Sequence, residues 1–386
     1  MLLINGEIWT MDGDALPKGY VQVQDGRITG VGPMESRPMA GEDEEIIELG
    51  GRLVLPGFVD AHSHMGLYST ASGMEGDDIN EDADPCTPHL RALDGIDPLD
   101  EAFGDARRWG VTCAVISPGS ANPIAGQVCA VKTRGRWIDR MAVAQPVAVK
   151  LALGENPKMT YGQKPQSPVT RMGTAALIRE HLQKARRYLR DIEKAEADDE
   201  LDLPEFDARL EALLPLLRRE IPAHIHAHKA YDILTGLRIC EEFGLRCVIV
   251  HATEGYQISD ILAKRQVDAI CGPMICARTK PELAGQTIQN CMMMAKAGVR
   301  VAISTDHPEV PGEYLLMSAS MAHSAGMGLE QVLRAITIDA ARIAGLEERI
   351  GSITPGKDAD LLVFSGDLMR VGAKPDMICV DGIWIE

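Results

Sequence analysis

Eight short apolar runs, separated mostly by stretches of helical periodicity, limit what this chain can fold into more than any other feature. They are LVLPGFVDAH near 53–62, VTCAVISPG near 111–119, QVCAVKT near 127–133, QPVAVKLALGE near 145–155, IPAHIHAH near 221–228, LRCVIVHA near 245–252, QVDAICG near 266–272 and VRVAISTD near 299–306. Short apolar runs alternating with helices make a parallel sheet covered by helices, and eight strands favour closure into a barrel. Ile233, Leu237 and Cys240 mark one helix face with Gly244 as its stop, and Leu329, Leu333, Ile336 and Ala340 mark another. The expected fold is α/β, a (β/α)8 TIM barrel over about 57–350, a size that 386 residues accommodate.

The two ends of the chain read differently. LLINGEIWT, YVQVQDGRITGVG and EEIIELGGRLV are short strands, with NG and DG supplying hairpin turns, and DADLLVFSG and DMICVDGIWIE repeat that character. Residues 1–56 and 351–386 are therefore expected to pair into one small composite β-sandwich. The acidic run EKAEADDELDLPE, 193–205, reads as a solvated linker between two surface helices.

Composition narrows the partners. Lys and Arg total 39 against 56 Asp and Glu, and a net charge of -17 argues against nucleic acid. No apolar run is long enough to cross a bilayer, and the N-terminus lacks a basic leader, so neither signal nor membrane anchor is expected. Nine cysteines contain no CxxC pair and sit among apolar neighbours, which suits a reducing, cytoplasmic setting. The expected partner is a small-molecule substrate, with homo-oligomerisation left open.

Chemistry concentrates at the ends of the runs. In VLPGFVDAHSH an apolar strand ends in Asp60, His62 and His64, and residues two apart on a strand project the same way, so two imidazoles can chelate. His226 ends the fifth run, His251 the sixth and Asp306 the eighth. In a barrel these ends share one rim, where sites are assembled, and nitrogen and oxygen ligands from four strand ends point to a bound metal.

Through PGFVDAHSH, HIHAHKAYDI, VHATEGY, STDHP and the closing GSITPGKDADLLVF, the chain resembles the amidohydrolase superfamily, specifically the imidazolonepropionase-like amidohydrolases, over essentially its whole length. The resemblance implies one or two divalent metal ions, zinc first among them, held by His62, His64, His226, His251 and Asp306. It implies that Asp306 also carries a proton from the attacking water to the leaving group. The implied activity is hydrolysis of an amide or related C–N bond, in an N-acyl amino acid, dipeptide or cyclic amide. Deamination of a small heterocycle at a mononuclear site is the nearer alternative, weakened by the lack of an acidic residue in HIHAHKA, and a catalytically silent binding barrel is the more distant one.

Binuclear members of the superfamily use a fourth-strand carboxylate, from a glutamate or a carboxylated lysine. VAVKLALGENPK offers both, and Glu155, at the end of the run, is expected to be the ligand, with Lys150 as the alternative bridging carbamate. Of His224, His226 and His228, spaced roughly 6.5–7 Å apart on an extended strand, one ligand is expected. His226 takes that place, His228 lies where substrate sits, and His224 is a core residue. Asn122 and Gln127 are candidates for substrate contact or for shaping the turn that holds Gly119 and Gly126, and Glu254 and His307 for substrate contact or for orienting the ligands. The long loop 65–98, with Glu75, Asp77, Asp78, Glu81, Asp82 and Asp84, reads first as solvated surface, and its place on the rim makes an ordered lid or a face for a cationic group the functional alternatives.

Overall fold

A computed structural model of the chain describes residues 1–42, 44–69 and 73–385. The N-terminal segment gives β1 (Leu2–Ile8), β2 (Leu16–Gln24), β3 (Arg27–Pro33), β4 (Ile46–Glu48) and β5 (Leu53–Pro56). The eight apolar runs supply β6 (Phe58–Ser63), β7 (Val111–Ile116), β8 (Ile124–Lys132), β9 (Ala142–Ala152), β10 (Ala223–Ala227), β11 (Cys247–His251), β12 (Asp268–Cys271) and β13 (Val301–Ile303). The chain finishes with β14 (Leu361–Phe364), β15 (Met377–Val380) and β16 (Ile383–Ile385).

Strands β6 to β13 lie side by side in chain order in one sheet. The sheet nearly closes, because the Asp306 N–H donates to the His62 carbonyl at 3.1 Å and the His64 N–H to the His307 carbonyl at 2.9 Å. Apart from the first five residues of β9, their side chains are mostly buried, as expected of strands covered on both faces.

Two details depart from the expected barrel. The third barrel strand, β8, pairs antiparallel with both neighbours, Ile116 opposite Cys129 and Gln127 opposite Val149. Only residues 117–123 join β7 to β8, and a parallel crossover takes about a dozen residues or more, so the chain can only turn back as a hairpin. The run at 53–62 also divides, with β5 pairing to β1 and β14 while β6 enters the barrel. Gly57 stands at the division, where a Cβ would lie 2.1 Å from Thr112 Oγ1, so only glycine lets the two strands pass this closely.

Both chain ends meet in a second sheet, ordered β16-β15-β14-β5-β1-β2-β3 with β4 on β1. The hydrogen-bonded ladder is one continuous sheet from both termini, and this pairing does not by itself give the two facing layers of a sandwich. Because β8 runs backwards, its last residue, Lys132, lies at the end of the barrel opposite the ligand rim. There its ammonium is buried against Asp358, Asp360 and Asp381 at 3.0, 2.7 and 2.9 Å. Between β9 and β10 a helix of 27 residues, Arg171–Ala197, runs into the acidic stretch, whose remainder is exposed chain leading to the helix Ala208–Glu211. Among the described residues no helix is long and apolar enough to cross a membrane, and all nine cysteines are free.

Candidate metal centre

The rim is built by strands that end where their ligands begin. Asp60 and His62 in β6 and His64 just beyond its end share one side of the pleat, and all three are buried. Asp60 does not join the ligands; its carboxylate accepts the Thr305 backbone N–H at 3.1 Å and the Thr305 hydroxyl, tying the first strand to the eighth. Burial raises its pKa to about 7 in spite of those bonds.

Opposite, Asp306 follows β13 with φ +57, and His251 ends β11 with φ +71. Non-glycine residues on left-handed backbone are held there by their surroundings, and such positions collect at functional sites. The turn brings Asp306 Oδ1 to 3.3 Å from His62 Nε2 and 3.4 Å from His64 Nε2, with Oδ2 3.9 Å from His251 Nδ1. Two ligand atoms bound at 2.0–2.1 Å to one tetrahedral ion stand about 3.3–3.4 Å apart, so the His62 and His64 separations match edges of a coordination polyhedron. They exceed the roughly 2.7–2.9 Å of a charge-assisted hydrogen bond.

The outward nitrogens are fixed by protein carbonyls and hydroxyls. His64 Nδ1 pairs with the Ser117 carbonyl at 2.7 Å, His251 Nδ1 with the Gly272 carbonyl at 2.8 Å and His228 Nδ1 with Thr253 Oγ1 at 2.7 Å. Each contact leaves Nε2 facing the centre, which is how a ligating imidazole is oriented. His226 has no hydrogen-bond partner on either ring nitrogen among the described residues, although it is only 2% exposed. A buried imidazole left unpaired on both sides suits a coordination bond. Burial drives His62, His226 and His228 well below the usual histidine pKa and His251 down to about 4, so they stand as neutral ligands. Burial alone would raise Asp306, but the charged forms of His251, His62 and His64 outweigh it and hold the carboxyl well below its ordinary value; where the imidazoles are neutral ligands, a bound cation would take over that role.

Two overlapping groups converge. His62, His251 and Asp306 form one, and His226, His228 and His251 the other, with ligand atoms in each within 4.8 Å of one another. The expectation of a single ligand on the fifth strand therefore meets a different geometry. The His226 and His228 ring centroids lie 4.8 Å apart and 4.6 Å each from His251. Separation along the backbone does not prevent rings from converging, any more than it does for His62 and His64. His224 is one pleat deeper, fully buried, with neither ring nitrogen partnered among the described residues and its pKa pushed down to about 3 by burial.

The fourth strand also differs from expectation. β9 ends at Ala152, Gly154 turns the chain at φ +87, and Glu155 opens the helix Glu155–Tyr161 instead of closing the strand. Glu155 belongs to neither convergent group, and its backbone N–H donates to Glu282 Oε2 at 3.0 Å. Lys150, opposite His224 in the sheet and completely buried, reaches up so that its Nζ stands 3.2 Å from His62 Nε2. Burial pulls its ammonium down to about 8, against the opposing charge of Asp306.

The other candidates are less central. Asn122 is buried and bonded to Glu81 O, Thr87 Oγ1 and Tyr161 Oη, while Gln127 sits within β8, and neither lines the cavity. Glu254 pairs with Lys229 at 2.8 Å, and His307 Nδ1 accepts the Gly312 N–H at 3.3 Å. In the loop 65–98, Asp84 binds Arg209 and Asp82 binds Lys164, while Tyr68, Ile79 and Asn80 face the cavity.

Above the centre opens a cavity of about 780 Å³, floored by His64, His226, His228, His251 and Asp306. Its wall includes two residues with no counterpart in the sequence reading, Lys280 and, sealed behind it, Glu282, whose Oε1 lies 3.5 Å from His228 Nε2 and 2.7 Å from Lys280 Nζ. Burial would raise the Glu282 carboxyl, yet His228 and Lys280 hold it below its usual value. A signal was present: GPMICARTKPELAGQTIQN is a long segment following a barrel strand on the ligand rim, and long loops there usually serve function.

Comparison with known proteins finds similarity to amidohydrolases along the whole chain. A model described as the amidohydrolase family matches residues 216–383. The crystal structure of an amidohydrolase from Thermotoga maritima MSB8 superposes with a TM-score of 0.94 at 41% identity, covering 100% of this chain and 99% of that one. The amidohydrolase tasK of Hapsidospora irregularis is 30% identical over 94% of this chain, which spans 39% of that protein's length. An imidazolonepropionase from Symbiobacterium thermophilum is 24% identical, over 92% of this chain and 85% of its own.

Proposed function

The chain belongs to the amidohydrolase superfamily, on its imidazolonepropionase-like side, and from that premise we propose a metal-dependent hydrolase that cleaves an amide or related C–N bond of a small molecule. The candidate substrates are N-acyl amino acids, dipeptides and cyclic amides. The observation that carries the reading is the Asp306 carboxylate at ligand spacing from His62 and His64 on the cavity floor.

His62, His64 and Asp306 would hold one divalent cation and His226 and His228 a second, with the one free nitrogen of His251, Nε2, given to one ion or the other. Zinc, iron, manganese and cobalt all suit such nitrogen and oxygen donors. A cation held there would supply a water that ionises near neutral pH and a Lewis acid for the scissile carbonyl. Asp306, kept ionised by its histidine neighbours, accepts the proton of the attacking water and returns it to the departing nitrogen. What supports Lys150 over Glu155 as the fourth-strand ligand is its Nζ beside His62 and its ammonium pulled to about 8. Carbon dioxide adding to the neutral amine forms an N–C bond with loss of one proton, and the carbamate presents the two oxygens of a carboxylate.

Deamination gains one argument, because Glu282 supplies the acidic group near the fifth strand that HIHAHKA lacks. A screen of metal-loaded protein against N-acyl amino acids, dipeptides, cyclic amides and amino-heterocycles separates the two. Release of an amino acid or ring-opened acid supports the amidase reading; ammonia from heterocycles alone replaces it with deamination.

A further inference from the structure

Three rim segments bring a chain of polar side chains to one wall of the cavity. Asn156 Nδ2 donates to Ser120 Oγ at 2.7 Å, Lys280 Nζ donates to Asn156 Oδ1 at 3.0 Å, and the same ammonium pairs with Glu282 Oε1 at 2.7 Å. Ser120 comes from the turn between β7 and β8, Asn156 from the helix after β9, and Lys280 from the segment after β12. Ser120, Asn156 and Lys280 line the cavity; Glu282 does not.

The exposures of the ion pair decide its role. The Glu282 side chain is 2% exposed and the Lys280 side chain 29%, so the carboxylate is sealed into the wall while the ammonium faces the cavity. Glu282 Oε2 is held in turn by the Glu155 N–H at 3.0 Å, so the acid serves as a fixed anchor. An ammonium has three N–H groups. Among the described residues two are spent, on Glu282 and Asn156, and the third is left for a ligand, beside the Ser120 hydroxyl proton. Lys280 is the one lysine or arginine among the described residues that line this cavity. Ile79, Met274, Ile275, Leu283 and Ile288 also line the cavity and supply apolar surface.

We propose that Lys280, steadied by Glu282 and Asn156, is a specificity-determining residue that receives a carboxylate of the substrate, with Ser120 as second donor and the apolar wall taking a hydrocarbon side chain. The substrate class is then an N-acylated amino acid with a free carboxylate and an apolar side chain. This rests on the hydrolase reading above, which leaves that choice among amides open.

The test uses the metal-loaded full chain and a matched pair, N-acetyl-L-leucine and N-acetyl-L-leucine amide, in calorimetric titration and in hydrolysis. The expected result is binding of the acid at least tenfold tighter than the amide, a difference lost in Lys280→Met and largely restored in Lys280→Arg. For hydrolysis, K280M should raise KM for the acid by the same factor while kcat changes little. Equal binding of acid and amide by the unaltered protein, or a preference that survives in K280M, overturns the proposal. Preferential binding of the acid without hydrolysis sustains the Lys280 assignment and counts against the hydrolase reading. Hydrolysis of acid and amide with equal KM sustains the hydrolase and overturns Lys280 as a carboxylate receptor.

Discussion

Asp306 stands on left-handed backbone between the imidazoles of two strands, and three histidines keep its carboxyl ionised far below the ordinary range. Asp306→Asn keeps the shape and the hydrogen-bonding bulk but cannot accept a proton. The variant should fold, and turnover should fall by about 10²- to 10⁴-fold, the usual contribution of a positioned proton carrier. Near-normal turnover with metal bound would remove Asp306 from the proposed role. Lys150, proposed above as the fourth-strand ligand, shows how the reach of a long side chain escapes a reading of strand ends. Ligands were expected at the last apolar residue of each run, which favoured Glu155, but the strand stops at Ala152 and Gly154 redirects the chain. Lys150 starts a pleat deeper and covers the distance with its four-carbon stem. Lys150→Met should lower the metal content measured by elemental analysis, whereas Glu155→Gln should leave it unchanged. The reverse pattern would restore the glutamate assignment.

Elements were legible in proportion to how locally their cause is written. All eight barrel strands announce themselves as apolar runs, and Gly244, with φ +71, ends the helix Ala230–Phe243 where it was expected to. The direction of β8 was also legible, since seven residues cannot hold a crossover, but only when the spacing of runs is read together with their composition. Asn122, in that short turn, is one of two residues whose sequence context suits either substrate contact or shaping of the turn. Its amide instead clasps Glu81 O, Thr87 Oγ1 and Tyr161 Oη, pinning the loop after β6 to the turn and to the helix Glu155–Tyr161. Asn122→Ala leaves buried partners unpaired and should cost about 1–3 kcal/mol in denaturant unfolding. KM should stay close to that of the unaltered protein; a rise in KM at unchanged stability would return Asn122 to the substrate.

At the scale of the whole molecule, the barrel and the sheet from both termini are joined through Lys132. Its pairing was not legible, since Asp358, Asp360 and Asp381 lie more than two hundred residues away in the chain. Removing one partner from a buried charge cluster usually costs about 3–5 kcal/mol, and Lys132→Met should destabilise the protein by that order. Burial works against the ammonium, but Asp360, Asp381 and Asp358 outweigh it and raise its pKa. A raised lysine pKa gives stability that is complete below the unfolded lysine value and is lost as pH climbs through the folded one. The gap between the two proteins should therefore be equal at pH 7 and pH 9; a gap that closes by pH 9 would show that the ammonium is not held in this way.

The histidines of β6, β10 and β11 and Asp306 matter to function only if the reaction needs the ion they are arranged to hold. The direct measurement is turnover of an N-acyl amino acid by one preparation, as purified, after chelation and after reloading with zinc or manganese, with metal per chain counted each time. The expected result is turnover that vanishes with the metal and returns with it, at one or two ions per chain. Full turnover by metal-free protein would contradict the account, whatever the fold.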